Sequence, residues 1–529
     1  MKKLETVDSS RPSCWEMVIC ISLEGRRFSL KMATKVRRCR IPLNSTATST
    51  SEELHFEERS RQVGPDSCSR YKVQGNRTER AELANDTEQC LDGWVYSTEF
   101  SSTTAVSEWD LVCDNAWKVP FSSSLFFFGV MIGSFVSGQL ADRFGRKPVF
   151  FIALALQCVT AVIQACSVSW TMFCILNCLS GLGQISCYHT SLILGSEMLS
   201  PSVREIFILL GHCTGFSLGI VVLPLFAYLM RDWRMLLGTM AIPCILLLPA
   251  WWLIPESPRW LLQKGRMQEA EQIIRECAKK NGVSAPEVLF RADDLSELME
   301  NAGEKTKTYT YLDLIRTHNM RNITFIGFYI WLSVSMVFYG LSINTSNLKG
   351  NIYLSCFFSG VVDTFVCIAA WVAIKRIQRQ IILFSTLMFT GIMLLVIQLV
   401  PEDMPVMFQV LVLIGKMGVS CSYSVNNLFF TELIPTVVRN MGVGVNSTGA
   451  RIGSIICPYL LYIGTQNKIL PYVVFGTVSI TAAAVSMLLP DTRNSKLPDL
   501  ISEAKAIRGC FCASKQKKRN TSEGSNAMC

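Results

Sequence analysis

Eleven apolar runs divide this chain, at about residues 119–140, 148–167, 171–195, 206–230, 235–254, 321–343, 352–374, 381–399, 406–430, 440–462 and 470–489. A helix rises about 1.5 Å per residue and a bilayer's hydrocarbon core needs about 20 residues, so each run fits one membrane crossing. A charged stretch from 255 to 320 separates five runs from six. In lipid the backbone must satisfy its own hydrogen bonds, which leaves a polytopic helical fold. The composition agrees: 17% of the 529 residues are charged, below the quarter usual in a soluble domain.

The loop between the first two runs orients the rest. Gly138-Gln139-Leu140-Ala141-Asp142-Arg143-Phe144-Gly145-Arg146-Lys147 holds three basic side chains in a short turn, which places it in the cytoplasm. The net charge of +9 is spread over loops and termini, as expected of cytoplasmic loops and not of a nucleic-acid-binding face. Most of the 21 cysteines fall in the apolar runs, where they pack as small hydrophobes. No C-x-x-C pair or histidine cluster points to a metal, and no nucleophile–base pair or phosphate loop points to an enzyme.

Residues 1–38 form an atypical N-terminal segment whose apolar run, Cys14 to Leu23, is too short to span. Residues 39–118 are polar and carry three N-glycan acceptors, Asn44, Asn76 and Asn85. They also hold Cys39, Cys68, Cys90 and Cys113. An even number in an oxidising compartment predicts two disulfides, with three connectivities open. The segment therefore reads as a small glycosylated, disulfide-tied extracellular loop. A five-span bundle over 119–254, a cytoplasmic helical linker over 255–320, a six-span bundle over 321–490 and a cytoplasmic tail over 491–529 complete the chain. In the tail, Cys510 and Cys512 stand beside basic residues, so palmitoylation and a plain basic tail are both open.

The two bundles read as repeats. Glu197 and Arg204 flank Pro201 in the first half, and Glu432 and Arg439 flank Pro435 in the second. The spacing suits a cytoplasmic hinge closed by an ion pair, and parallel halves that rock against each other fit the major facilitator architecture. Lys375-Arg376-Ile377-Gln378-Arg379 is a degraded counterpart of the Gly138–Lys147 loop. Asp142, Arg143, Arg146, Glu197, Arg204, Glu432 and Arg439 are the gating candidates.

From about Arg38 to Gly509 the chain resembles the organic cation/carnitine transporters of solute carrier family 22. The resemblance rests on Gly93-Trp94, Glu108-Trp109-Asp110-Leu111-Val112-Cys113, the Gly138–Lys147 loop, Arg231–Leu237, Pro255–Arg259, Glu432–Thr436 and Val438–Gly444. Gly181–Ser186 and the second-half motif favour the carnitine branch. The resemblance implies a plasma-membrane protein that moves small organic ions by alternating access, with Na+ as a coupling ion in some members and no other cofactor. The family has a first helix before its glycosylated loop, and residues 1–38 bear no likeness to it. Tyrosines of the carnitine-type pattern are replaced at Phe216, Asn427 and Phe429.

Charges inside spans are costly and mark sites. Asp363, Lys416 and Arg451 each fall about 11 residues into a run, near the bilayer midplane. The resemblance puts a basic residue at 451 in the carnitine and organic-anion branches, and a guanidinium fork suits a carboxylate. A structural pair with Asp363 is the competing role for Arg451. Lys416 either assists an anion or locks packing, and Asp363 either attracts a cation or neutralises a base. A quaternary ammonium is best held by aromatic faces. Trp331, which the family keeps aromatic, Tyr339, Tyr423 and Phe216 are the candidates, against ordinary packing. Gln184 offers an amide oxygen to sodium or an interhelical hydrogen bond. Two functions fit: a secondary transporter of carnitine-like zwitterions or organic cations, or a non-transporting truncated relative that only associates with other membrane proteins.

Overall fold

A computed structural model describes residues 102–199, 212–280, 312–344, 351–401, 404–435, 438–467 and 469–492, with short pieces at 37–39, 68–71, 87–89 and 94–96 and single residues 207, 282, 498 and 501. Helices dominate. In the first half they are α1 (Lys118–Phe144), α2 (Arg146–Ala165), α3 (Trp170–Met198), α4 (His212–Met230) and α5 (Trp233–Leu247). Two short helices follow, α6 (Pro258–Gln263) and α7 (Met267–Lys280). The second half holds α8 (His318–Asn344), α9 (Ile352–Arg376), α10 (Arg379–Val396), α11 (Pro405–Leu433), α12 (Arg439–Ile463) and α13 (Leu470–Ser486). All eleven expected spans are thus helical, with boundaries set by local chemistry. Ser169, Asp232 and Asn351 cap α3, α5 and α9 through backbone N–H groups that have no partner inside the helix. Gly145, at φ +110°, makes the turn between α1 and α2.

Among the described residues eight helices are long and apolar enough to cross a membrane, fewer than the eleven runs expected. Two of the others, Ser217–Met230 and α13, are shorter apolar helices. The third, α12, has the length but carries Asn446, Ser447, Thr448, Arg451 and Ser454 within its span. Its polarity reflects what it faces, which is protein rather than lipid along that stretch: Asn446, Arg451 and Ser454 are all buried.

Within the first half α3 packs on α1 and α2, and α2 on α5; within the second, α8 packs on α12 and α13, and α10 on α11 and α13. Among the described residues the main helix pairs that join the halves are α1 with α12 and α4 with α9. These two are equivalent under the internal repeat. Arg146 at the start of α2 pairs with Glu197 at the end of α3, and Arg379 at the start of α10 pairs with Glu432 at the end of α11. That registers α1–α5 on α9–α13, so swapping the halves exchanges one joint for the other. Among the described residues α8 is the helix without a counterpart. Close approach across α1 and α3 depends on Gly129, where a β-carbon would collide with the Cys178 carbonyl.

Residues 102–115 fold onto the end of the first half that carries the starts of α1 and α3. Glu108 accepts from Trp233 Nε1 at 2.9 Å and from Arg234 at 2.5 Å. Arg234 also donates to the Ala165 and Ser167 carbonyls, both at 2.7 Å. Trp109 packs its ring on Phe173 and Trp233. Thr103 bonds Asp232. Two sequence motifs far apart, Glu108–Cys113 and Arg231–Leu237, are therefore two sides of one joint. Cys68 is bonded to Cys113, and strand pairs Arg37–Cys39 with Trp94–Tyr96 and Ser69–Tyr71 with Thr87–Gln89 lie in the same segment. Of the two expected disulfides, this is the one within the described residues; Cys90 and the Cys39 side chain lie outside them. So do the atypical N-terminal segment before residue 37, the acceptors Asn44, Asn76 and Asn85, and Cys510 and Cys512.

Candidate functional site

The mid-span charges sort into a satisfied pair and an unsatisfied cation. Lys416 Nζ lies 2.8 Å from Asp363 Oδ2, with the two side chains 1% and 4% exposed. Lys416 also donates to Ser359 Oγ, and Ser420 donates to Asp363 Oδ1 at 2.6 Å. The arrangement is reciprocal. Ser359 and Asp363 lie one turn apart on α9, as do Lys416 and Ser420 on α11, so each charged group meets its opposite charge and the hydroxyl beside it. Charges so deeply buried are tolerated only when paired and hydrogen-bonded; here each has its opposite charge and a hydroxyl, with Asp363 Oδ2 meeting Lys416 at ion-pair distance but without hydrogen-bond geometry.

Arg451 has no such partner. It is 9% exposed on α12, and its Nε is buried without a hydrogen bond among the described residues. The structural pair with Asp363 that its position allowed is not formed, because Lys416 already holds that carboxylate. Across the interface, His189 on α3 lies within electrostatic range of the Arg451 charge. The sequence reading missed His189, as well as Ser359, Ser420 and Phe338. The hydroxyls had a signal in their spacing of four from Asp363 and Lys416. His189 had none, because nothing in its neighbours says that α3 faces α12.

Aromatic rings line the same region. Trp331 and Tyr423 meet edge-on with centroids 5.6 Å apart, and Phe338 lies 5.1 Å from Tyr423. Tyr339 packs at 5.0 Å on Phe127 of α1, across the two halves. Trp331 Nε1 is buried without an acceptor among the described residues. The Lys416 ammonium sits 5.8 Å from the Phe338 ring centre. Gln184 is buried on α3. Phe216 belongs to α4, with its side chain outside the described residues.

At the basic end of the bundle the charged groups form networks that reach between helices. Arg146 reaches Glu197 at 3.2 Å, Asp142 at 3.0 Å and the Ala141 carbonyl at 3.1 Å. Glu256 accepts from the Arg146 and Lys147 backbone N–H groups at 3.0 and 3.2 Å, which caps α2 with a carboxylate from the following segment. Glu432 is held by Arg379 and by Thr492 at 2.7 Å, while Arg439 donates to the Ile434 carbonyl. The hinge glutamates therefore reach across to a neighbouring helix start. Each is the last acid of its helix, and the next basic start lies beside it in space. Arg143 does not join: it is exposed and lies over Phe144. Arg204 lies outside the described residues.

Comparison with known proteins agrees with this fold. The family model described as "Sugar (and other) transporter" matches residues 70–500. Human organic cation/carnitine transporter 2 is 41% identical over 492 residues, covering 90% of this chain and 87% of that protein. Mouse solute carrier family 22 member 4 is 41% identical over 512 residues, 94% of this chain and 92% of its own. The inward open structure of the xylose transporter XylE from E. coli superposes with a TM-score of 0.59 at 18% identity, over 75% of this chain and 92% of that one; at that identity the likeness shows the fold alone. The chain belongs to the sugar (and other) transporter family of the major facilitator superfamily, in the solute carrier family 22 branch of organic cation/carnitine transporters. It is a multi-pass transporter of the plasma membrane that handles small molecules, and not an enzyme.

Proposed function

We propose that this chain carries carnitine-like zwitterions, small molecules with a carboxylate and a quaternary ammonium, by alternating access. The observation that carries the reading is the state of the three mid-span charges. Asp363 is neutralised from within, and Arg451 is left as an uncompensated guanidinium among the described residues. A buried unpaired charge is expensive, so a substrate carboxylate is its natural counter-ion. The trimethylammonium group, which has no N–H to donate, needs aromatic faces, and Trp331, Tyr423 and Tyr339 supply them. The name of a relative, human organic cation/carnitine transporter 2, fits that class.

Alternating access draws support from where the halves meet. Ser124 donates to the Ile455 carbonyl at 2.9 Å, Phe127 meets Tyr339, and Tyr228 meets Tyr353 at 5.6 Å. These contacts lie toward the end carrying residues 102–117, the extracellular side by the charge of the loops. The networks at the opposite end, around Arg146 and Arg379, each stay within one half. Such a pattern suits a cavity closed outside and open inside, with the two repeats able to rock. Sodium is the proposed coupling ion, with the buried Gln184 amide oxygen among its ligands.

The test is paired uptake of labelled carnitine and tetraethylammonium at matched surface abundance, with sodium replaced by an inert cation in one arm. The reading expects saturable, sodium-dependent carnitine uptake that collapses in Arg451→Ala, while tetraethylammonium is spared. Equal loss for both substrates would make Arg451 a packing residue and overturn the proposal.

A further inference from the structure

One ammonium ion in this protein already sits in a site built for an ammonium ion, and it belongs to the chain. Lys416 Nζ has a carboxylate at 2.8 Å, the Ser359 hydroxyl as a second acceptor, and the Phe338 ring 5.8 Å away. Ser420 fixes the carboxylate from its other oxygen at 2.6 Å. A carboxylate, a hydroxyl and an aromatic face are the set that a primary organic ammonium needs once it leaves water. Simple helix packing asks for none of this, since apolar side chains of the same volume usually pack as stably as a buried ion pair. The groups come from α8, α9 and α11, at mid-depth in the same half as Arg451.

We propose that Lys416 is a tethered occupant of a small-cation site and that it excludes primary ammonium ions from Asp363. Selectivity follows from the tether. A cation that would use Asp363 must displace an ammonium whose local concentration is fixed by a covalent stem, a contest that free ligands at ordinary concentrations lose. Removing the stem turns the chain into an acceptor of small primary ammonium ions. The inference does not depend on the carnitine reading, because neither Arg451 nor a substrate carboxylate enters it.

The probe is propylammonium, which is the lysine side chain beyond its β-carbon. Lys416→Ala, at wild-type surface abundance, should take up labelled propylammonium saturably and on the order of tenfold faster than the unmodified chain. The double variant Asp363→Asn, Lys416→Ala has lost the carboxylate and should show no gain. If Lys416→Ala fails to reach the surface, because Asp363 is buried unpaired, propylammonium in the growth medium should restore it there by filling the vacated place. Equal uptake by Lys416→Ala and the unmodified chain, a gain that persists in the double variant, or retention inside the cell that propylammonium does not relieve would each overturn the proposal.

Discussion

The two halves share a helix order and treat buried polarity in opposite ways. The hydrogen-bonded polar groups buried between the first-half helices are neutral: Asn177 donates to the Ser122 carbonyl at 2.8 Å, Trp170 donates to Ser122 Oγ at 2.9 Å, and Ser186 to the Leu182 carbonyl at 2.7 Å. The second half places the charged Asp363, Lys416 and Arg451 near the middle of their helices, one ion pair and one cation without a partner among the described residues. Neutral hydrogen bonds inside membrane bundles are worth only about 0.6 kcal/mol on average, so they hold helices without dictating what enters between them. Buried charges set a field across the whole cavity. In the proposed function the first half acts as the wall and the second half as the electrostatic reader, and His189 is a group of the wall within electrostatic range of Arg451.

The largest effect should come from unbalancing the satisfied pair. Asp363→Ala strands a buried ammonium and should cost about 3–5 kcal/mol, read as loss of surface expression or a lower melting temperature in detergent. Replacing both partners together, Asp363→Leu with Lys416→Met, should return most of that stability, and failure to do so would mean that the charges hold more than each other. Next comes Arg451→Ala. It should weaken carnitine by about 2–5 kcal/mol, roughly 30- to several-thousand-fold in half-saturation, and leave the melting temperature nearly unchanged because no protein partner is lost. Arg451→Lys should recover part of the affinity, since one ammonium cannot reproduce the fork.

At the basic ends the repeat itself can be tested. Arg146 has two carboxylates and a carbonyl and is buried, whereas Arg379 is more open. Arg146→Gln should therefore destabilise by about 1–3 kcal/mol, and Arg379→Gln by about 0.2–1 kcal/mol, in thermal unfolding measured side by side. Equal losses would argue that the two networks are matched halves of one gate. The smallest change is expected in the wall. Asn177→Ala should cost about 1 kcal/mol of stability and leave the ratio of carnitine to tetraethylammonium uptake where it was. A shift in that ratio would break the division between wall and reader.

What could be read along the chain were features that lipid imposes locally. A crossing helix must be about 20 residues long and apolar, so the eleven helices and their approximate ends follow from hydropathy alone. Charge at mid-span is rare enough that Asp363, Lys416 and Arg451 announce themselves. The repeated glutamate and proline of each half gave the two-half order. Three-dimensional packing decided the partners. Lys416 and Arg451 are equally plausible mates for Asp363 in sequence, and the choice between them rests on α11 lying against α9. Glu197 and Glu432 stand a few residues before arginines in sequence, and the fold brings Arg146 and Arg379 to them from neighbouring helix starts. His189 passes as an ordinary residue of an apolar run until α3 is set opposite α12. The reason is physical: burial and depth are priced residue by residue by the bilayer, whereas an electrostatic pair depends on distance between helices, and no single stretch of sequence contains that distance.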